Sequence, residues 1–152
     1  MIKKNFIILI IFLFLNGCGF APIFNSKNIN INISKIDFDN NKINRNFAKK
    51  ISAFSNQTSN NLYDLYINSY STKNIATKDS KGNPSIFTLQ LKVDITLINN
   101  NNKKELKKSF FENINLNNND DKFKLKITED TLINQMSQKI LLDILKFLAS
   151  VR

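Results

Sequence analysis

Few side chains in this sequence could do chemistry, and the usual catalytic sets are incomplete. The 152 residues contain 22 Lys and Arg, 12 Asp and Glu, one Cys and no His. General acid–base schemes, Ser-His nucleophiles and many zinc sites therefore lack their imidazole. Adjacent carboxylates occur at Asp120-Asp121 and Glu129-Asp130, but each pair lies at a possible helix start, where the helix dipole favours acidic residues. We expect a protein that is not an enzyme and that holds no cofactor or metal ion.

The single cysteine, Cys18, has the sequence context of a lipidation site. A short basic stretch is followed by an unbroken apolar run of ten residues, 6–15. Ten helical residues span about 15 Å, half of a bilayer core, which favours a secretory signal over a permanent span. Leu15-Asn16-Gly17-Cys18 resembles a bacterial lipobox, although Asn16 stands where Ala or Ser is more usual. We predict that residues 1–17 are removed and that the Cys18 thiol carries diacylglycerol.

Lys122, Lys124 and Lys126 are the second group that could bind a ligand. At helical spacing Lys122 and Lys126 share a face, and Lys124 lies roughly opposite. Two interpretations stay open, namely a solvated helix surface or a docking site for a phosphorylated lipid or another polyanion. Lys81-Gly82 is not part of a phosphate-binding loop, because the preceding glycine-rich spacing is missing. The loop at 78–85 is more typical of a tight hairpin.

The formal net charge of +10 invites a nucleic-acid interpretation that the composition does not favour. Lys, Asn and Ile together make up 68 of the 152 residues, and all three have A/T-rich codons. The chain has 20 Lys but only 2 Arg, although Arg is the better residue for bidentate phosphate recognition. We interpret the charge as mostly compositional, with part of it available to an anionic partner.

Four stretches of alternating apolar and polar residues predict the strands that must position these side chains. The stretches are residues 29–33, 62–75, 87–97 and 106–116. In the last stretch Phe110 and Phe111 point to opposite faces, so one is expected in the core and the other exposed or covered by a partner. Short connections between the last three strands predict an antiparallel meander.

Two amphipathic stretches predict helices. Residues 43–54 place apolar side chains on one face opposite Lys and Arg, with Asn40 or Asn41 as a cap. A longer helix begins near Asp120, or alternatively at 128–130. Its predicted buried stripe is Phe123, Ile127, Leu132, Ile133, Met136, Ile140, Ile144 and Leu148. The order β-α-β-β-β-α predicts an α+β two-layer sandwich, in which two helices cover one face of a four-stranded, mostly antiparallel sheet.

Three segments make the sequence resemble the LPS-assembly lipoprotein family, LptE, in its alphaproteobacterial form. Cys18-Gly19-Phe20-Ala21-Pro22-Ile23-Phe24 resembles the C-G-F-x-P start of such members. Lys81-Gly82-Asn83, within 76–93, resembles the family's central hairpin leading into an alternating strand. Ser109-Phe110-Phe111-Glu112-Asn113 resembles its S-F-F-D-N-like strand before the last long helix. The element order agrees as well, so the resemblance covers nearly the whole chain after Cys18.

The resemblance implies an outer-membrane lipoprotein with a signal peptide at 1–17, an acylated tether at 18–28 and a single LptE-like domain at 29–149. Members sit as a plug in the lumen of the large outer-membrane β-barrel LptD, support its assembly and bind lipopolysaccharide. Basic residues near the central hairpin and near the start of the last helix are implicated in that binding. The matching residues here are Lys81, Lys122, Lys124 and Lys126. Ser80 stands at or beside a position where some members carry Arg.

The expected function is therefore to plug an LptD-like barrel and assist lipopolysaccharide insertion into the outer leaflet. The protein would be anchored through Cys18, facing the periplasm or lying within the barrel lumen. Gly19 favours the outer membrane, since Asp at that position is the usual inner-membrane retention signal. The alternative is a periplasm-facing lipoprotein adaptor for envelope assembly with no lipid ligand. The export signal and the scarcity of Arg argue against a nucleic-acid-binding module.

Overall fold

Strands and helices follow each other in the order that the sequence predicts. The computed structural model describes residues 31–151. Its elements are β1 (Asn32–Phe38), α1 (Lys42–Ser52), β2 (Leu62–Lys78), β3 (Pro84–Asn99), β4 (Glu105–Asn117) and α2 (Lys122–Ser150). The predicted α+β class and the order β-α-β-β-β-α are confirmed. The predicted signal peptide, the tether with Cys18 and the first two residues of the predicted domain lie outside the described residues.

The four strands form one sheet in the order β1-β2-β3-β4. Short turns join β2, β3 and β4, so these strands are antiparallel, with Val93 of β3 opposite Phe110 of β4. β1 runs parallel to β2, because α1 carries the chain back along the sheet between them. β1 pairs with β2 only as far as Ile67, so the rest of β2 forms an edge of the sheet.

One face of the sheet packs against both helices and forms the core. Alternate residues of β3, from Leu89 to Leu97, are at most 1% exposed, and α1 adds Phe47 and Ile51. Buried side chains of this kind contribute about 1.5–3 kcal/mol each to folding before entropy is counted. Helix α1 also buries Asn44 and Ala48. The buried residues of α2 are Leu125, Met136, Ile140, Leu141, Ile144, Leu145 and Leu148.

The opposite face of the sheet, which we call the open face, consists of the strand side chains that point away from the helices. Phe111 on this face is 54% exposed, whereas Phe110 is 8% exposed and packs edge-on against Phe147 at a centroid distance of 6.3 Å. The predicted division of the two phenylalanines is therefore confirmed. Lysines of the open face pair with carboxylates along the same strand, as Lys35–Asp37, Lys92–Asp94 and Lys107–Glu105.

Both helices begin at a residue whose side chain caps them. The Asn41 side chain accepts the backbone N–H of Asn44 at 2.7 Å. The Asp121 side chain accepts the backbone N–H groups of Phe123 and Lys124 at 3.0 and 3.1 Å. These bonds satisfy donors that a helix leaves free at its first turn. Asn41 is one of the two caps predicted for α1, and the earlier of the two predicted starts of α2 is the observed one.

The buried stripe predicted for α2 is wrong at its first two positions. Phe123 is 74% exposed and Ile127 is 50% exposed, whereas Leu125 between them is only 7% exposed. Residues two positions apart on a helix point about 200° away from each other. Because Leu125 faces the sheet, Phe123 and Ile127 therefore point away from it. Glu129 continues the inward side because it pairs with Lys73 of β2 at 2.8 Å. The remaining six residues of the predicted stripe are buried or half-buried.

Candidate functional site

The β2–β3 hairpin and the start of α2 meet at one end of the sandwich, which we call the hairpin end. Asn118, in the turn before α2, donates its backbone N–H to the Ser85 carbonyl at 2.8 Å. Its Nδ2 donates to the Pro84 carbonyl at 2.7 Å. Because Pro84 begins β3, these bonds join the two loops. The structure therefore brings the hairpin of Lys81 to the same end of the molecule as Lys122, Lys124 and Lys126.

Asp79 fixes the backbone at the tip of the hairpin. Its Oδ1 accepts the backbone N–H groups of Lys81 at 2.9 Å and of Asn83 at 2.8 Å. These hydrogen bonds, with the Asn83 backbone as the main cause, lower the pKa of the Asp79 carboxyl. Gly82 has φ +85°, a left-handed conformation that favours glycine. The tip thus presents the exposed Lys81 side chain on a fixed backbone, and Lys81 forms no ion pair with any residue from 31 to 151.

The first two lysines of α2 differ in their partners. The Lys122 ammonium donates to the Asn119 carbonyl at 3.2 Å and forms no ion pair within the described range. The Lys124 Nζ lies 3.7 Å from the Asp121 Oδ2, the same carboxylate that caps the helix. A ligand anion would therefore compete with Asp121 for Lys124 but would find the charge of Lys122 less compensated.

Lys126 belongs to a charge network that includes a lysine not singled out from the sequence. Its Nζ lies 3.0 Å from Asp130 and 3.5 Å from Glu129, and the hydrogen bond to Asp130 is the main cause that raises the pKa of Lys126. The Lys73 ammonium donates to the other Glu129 oxygen at 2.8 Å and lies 4.5 Å above the Phe87 ring. The bond from Lys73 is the main cause that lowers the pKa of Glu129. The alternation of β2 could have identified Lys73 from the sequence, because it places this lysine on the helix-covered side of the strand. A charged side chain on that side needs a partner of opposite charge.

The hairpin end is therefore nearly balanced in charge rather than strongly basic. Its six lysines are Lys73, Lys78, Lys81, Lys122, Lys124 and Lys126, and its five carboxylates are Asp79, Asp120, Asp121, Glu129 and Asp130. Ion pairs engage Lys73, Lys124 and Lys126. Of the four lysines predicted to bind a ligand, Lys81 and Lys122 are the two whose charges remain available.

Exposed apolar side chains accompany these lysines. Phe123 and Ile127 lie one turn apart at the start of α2, and Ile75 of β2 is 51% exposed. Ile75 follows Lys73 by two residues on the helix-covered side of β2, so it lies toward the hairpin tip. Apolar surface next to cations suits a ligand that carries both an anionic group and hydrocarbon.

A groove of about 870 Å³ between α1 and α2 opens beside this end. Ser69 and Ser71 of β2 line its floor, and their small side chains leave the space open. Phe47 of α1 and Leu141 of α2 contribute apolar walls, while Lys126 also lines the groove. The groove and the hairpin end are therefore connected through the first turns of α2.

Two kinds of site are not found in the described part of the chain. Among residues 31–151, no group of three or more His, Cys, Asp or Glu side chains could hold a metal ion. Neither helix in that range is long and apolar enough to cross a membrane. Cys18 lies outside these residues, so its lipidation stays a prediction.

Solved structures of two bacterial lipoproteins share this fold. The crystal structure of the rare lipoprotein B from Shewanella oneidensis matches with a TM-score of 0.56 at 11% identity, over 76% of this chain and 94% of that chain. The solution structure of lipoprotein B from Nitrosomonas europaea matches with a TM-score of 0.61 at 18% identity, over 80% and 86%. At these identities the likeness shows the fold alone. No protein-family model and no curated protein matches the sequence.

Proposed function

We propose that the protein is a non-enzymatic outer-membrane lipoprotein that plugs an LptD-like β-barrel and assists lipopolysaccharide transport into the outer leaflet. The observation that carries the proposal is the meeting of the Lys81 hairpin with the start of α2 at one end of the sandwich. The resemblance to LptE implicates these two segments in lipopolysaccharide binding. The fold shared with two bacterial lipoproteins supports the same proposal.

The chemistry of the hairpin end suits such a ligand. Lipopolysaccharide carries phosphate groups and acyl chains in one molecule. Lys81 and Lys122 can donate charge-assisted hydrogen bonds to a phosphate, whereas Phe123 and Ile127 can contact hydrocarbon. Lysine supplies a point charge rather than the fork of arginine, so we expect binding that weakens as salt screens the charges.

The first experiment tests the lipid ligand. Replacing Lys81, Lys122, Lys124 and Lys126 with Ala removes four positive charges from the hairpin end. We expect the affinity for lipopolysaccharide at low salt to fall roughly tenfold, since each exposed charge contact contributes about 0.2–1 kcal/mol. Association with the barrel is expected to be unchanged. The measurement is a lipopolysaccharide titration of the full-length protein in mild detergent.

A matched control separates location from total charge. Replacing Lys35, Lys92, Lys107 and Lys146 with Ala removes the same charge from exposed lysines away from the hairpin end. This control is expected to keep its lipopolysaccharide affinity. An unchanged affinity in the hairpin variant, or an equal loss in both variants, would contradict lipid binding at the hairpin end.

The second experiment tests the barrel partner. The tagged, full-length protein is purified from its native membrane in mild detergent, and bound chains are identified by mass spectrometry. A near-stoichiometric large β-barrel is the expected result. Recovery of the protein alone, from a fraction in which that barrel is abundant, would contradict the plug.

The second candidate function is a periplasm-facing adaptor for envelope assembly without a lipid ligand. The ion pairs of Lys124 and Lys126 favour it, because two of the four predicted binding lysines already have carboxylate partners. Recovery of the protein without a barrel, combined with no measurable lipopolysaccharide affinity, would support this candidate.

A further inference from the structure

Helix α1 presents a strongly basic surface that the proposed function does not use. Its buried side is held in the core by Phe47 and Ile51, which are 2% and 0% exposed. The helix therefore cannot rotate to hide its other side. No acidic residue lies in α1, and the exposed side carries Lys42, Arg45, Lys49 and Lys50, which we call the α1 basic face.

None of these four cations forms an ion pair with any residue from 31 to 151. The open face differs from α1 in this respect, since Lys35, Lys92 and Lys107 each have a carboxylate oxygen within 2.9 Å of the ammonium. The negative end of the helix dipole accounts for Lys49 and Lys50 in the last turn. It does not account for Lys42 in the first turn, where a cation is disfavoured. Arg45 and Lys49, one turn apart, also repel each other. The α1 basic face thus concentrates cations without an ion-pair partner in the described chain, although Lys42 and Lys50 line the groove that Glu129 and Asp130 also line.

The end of α1 lies beside the first described residue of the chain. The Asn56 N–H, just after α1, donates to the Ile31 carbonyl at 3.0 Å. Twelve residues separate Ile31 from Cys18, so the two residues can lie at most about 45 Å apart when this segment is fully extended. Helix α1 is about 16 Å long, so a chain anchored at Cys18 could bring the whole α1 basic face to the membrane.

Two further cations lie at the same end of the sheet. The β3–β4 turn reaches β2 there, since the Asn100 N–H donates to the Leu62 carbonyl at 2.9 Å. Lys103 and Lys104 in this turn are exposed and form no ion pair within the described range. These two lysines therefore add unpaired positive charge close to Ile31, where the chain enters the described domain.

We propose that the α1 basic face lies against anionic phospholipid headgroups next to the lipid anchor and sets the orientation of the domain on the membrane. Basic side chains near an anionic bilayer surface are attracted to it, and a lipid chain together with a polybasic surface forms a two-signal anchor. This interaction orients the protein while it is on the membrane without its barrel. It depends on the anchor at Cys18 but not on binding to lipopolysaccharide or to a barrel.

The chain allows a direct measurement of orientation. Cys18 is the only cysteine of the sequence, and acylation would block its thiol, so in the acylated chain an introduced cysteine is the single site for a thiol-reactive fluorophore. Asn46→Cys places the label on the exposed side of α1, and Asn113→Cys places it on the open face. The acylated, full-length chain is reconstituted into phosphatidylcholine vesicles with or without about 30% phosphatidylglycerol. A headgroup nitroxide lipid quenches labels that lie near the surface.

We expect phosphatidylglycerol to increase quenching of the label at position 46 by about twofold or more, and to leave the label at position 113 unchanged. In about 1 M NaCl, where the Debye length is about 3 Å, the increase should disappear. Equal quenching at the two positions, or an increase that resists salt, would overturn the proposal. Such a result would leave the lipopolysaccharide and barrel experiments untouched, so the two failures are distinguishable.

A pair of variants identifies the charges responsible. Lys42, Arg45, Lys49 and Lys50 are replaced with Gln in the position-46 labelled chain, and Lys35, Lys92 and Lys107 are replaced with Gln as the open-face control. The α1 variant should lose the phosphatidylglycerol effect, whereas the control should keep it. Persistence of the effect in the α1 variant would overturn the proposal. The salt titration of the unsubstituted surface tests the same point if the α1 variant does not fold.

Discussion

The hairpin end and the α1 basic face are both rich in cations, yet only the hairpin end also holds carboxylates. The hairpin end has six lysines and five acidic residues, and three of the lysines are held in ion pairs. The α1 basic face has four cations, no acidic residue and no ion pair within the described range. An anionic ligand at the hairpin end must either displace a carboxylate from a paired lysine or bind one of the unpaired lysines. At the α1 basic face, an anionic ligand can bind any of the four cations without breaking an ion pair.

The caps of the two helices explain part of this difference. Asp121 caps α2 and lies 3.7 Å from Lys124, so the cap also compensates a positive charge. Asn41 caps α1 with a neutral amide and compensates none. Acidic residues at the hairpin end thus accept backbone hydrogen bonds in a loop and at a helix cap, and some of them also pair with lysines. A net charge of +10 therefore does not locate the surface on which positive charge is available.

The largest expected effect concerns the apolar residues of the hairpin end. Leu125→Ala should lower the free energy of unfolding by about 2–5 kcal/mol, because it removes a side chain that is 7% exposed. Phe123→Ala should change it by no more than about 0.5 kcal/mol, since Phe123 is 74% exposed. The measurement is denaturant unfolding of the isolated protein. Equal losses would mean that Phe123 packs in the core and is unavailable to an amphiphilic ligand.

The fold followed from the sequence because periodicity was strong wherever one face is buried. The alternation in β3 and the stripe after Ile133 in α2 both report a single core face, and both were confirmed. The stripe failed at Phe123 and Ile127 because Leu125 and Glu129 take the inward side of the first two turns. An inward glutamate is intelligible only together with Lys73 of β2, a contact between residues 56 positions apart.

The candidate site was less predictable than the fold. The resemblance pointed to Lys81 and the three lysines of α2, and the structure brings their segments to one end. Sequence spacing could not show which lysines are paired, because the partners of Lys124 and Lys126 depend on the helix start and side-chain conformation. The lysines and arginine of α1 were visible as the polar side of an amphipathic helix. Their lack of ion pairs required the structure.

The second prediction exchanges the charges of the two caps. Asp121→Asn keeps a good capping side chain, so the free energy of unfolding should change by only a few tenths of a kcal/mol. It also removes the carboxylate beside Lys124, which should raise the affinity for lipopolysaccharide at low salt about 1.5- to 5-fold. Asp121→Ala should instead cost about 1 kcal/mol of stability through the lost cap.

The reciprocal change is made at α1. Asn41→Asp keeps the cap and adds a negative charge near Lys42, so it should reduce the phosphatidylglycerol effect on the label at position 46 without lowering stability. If Asp121→Asn left lipopolysaccharide affinity unchanged while Asn41→Asp acted as expected, the hairpin end would not be the anion-binding region of the pair.

The smallest expected effect tests the ion pair that binds the hairpin end to the sheet. The hydrogen bond from Lys73 holds the pKa of Glu129 below its ordinary value of 4.5, so the pair stabilises the folded state above about that pH. Glu129→Gln should lower the free energy of unfolding by about 0.2–0.5 kcal/mol at pH 7. The difference from the unsubstituted protein should shrink as the pH falls below 4.5 and vanish below the folded pKa of Glu129. Asp143→Asn, which breaks the more exposed pair with Lys146, is the matched control and should cost less. A Glu129→Gln loss that did not depend on pH would mean that packing of the side chain, rather than its charge, joins α2 to β2.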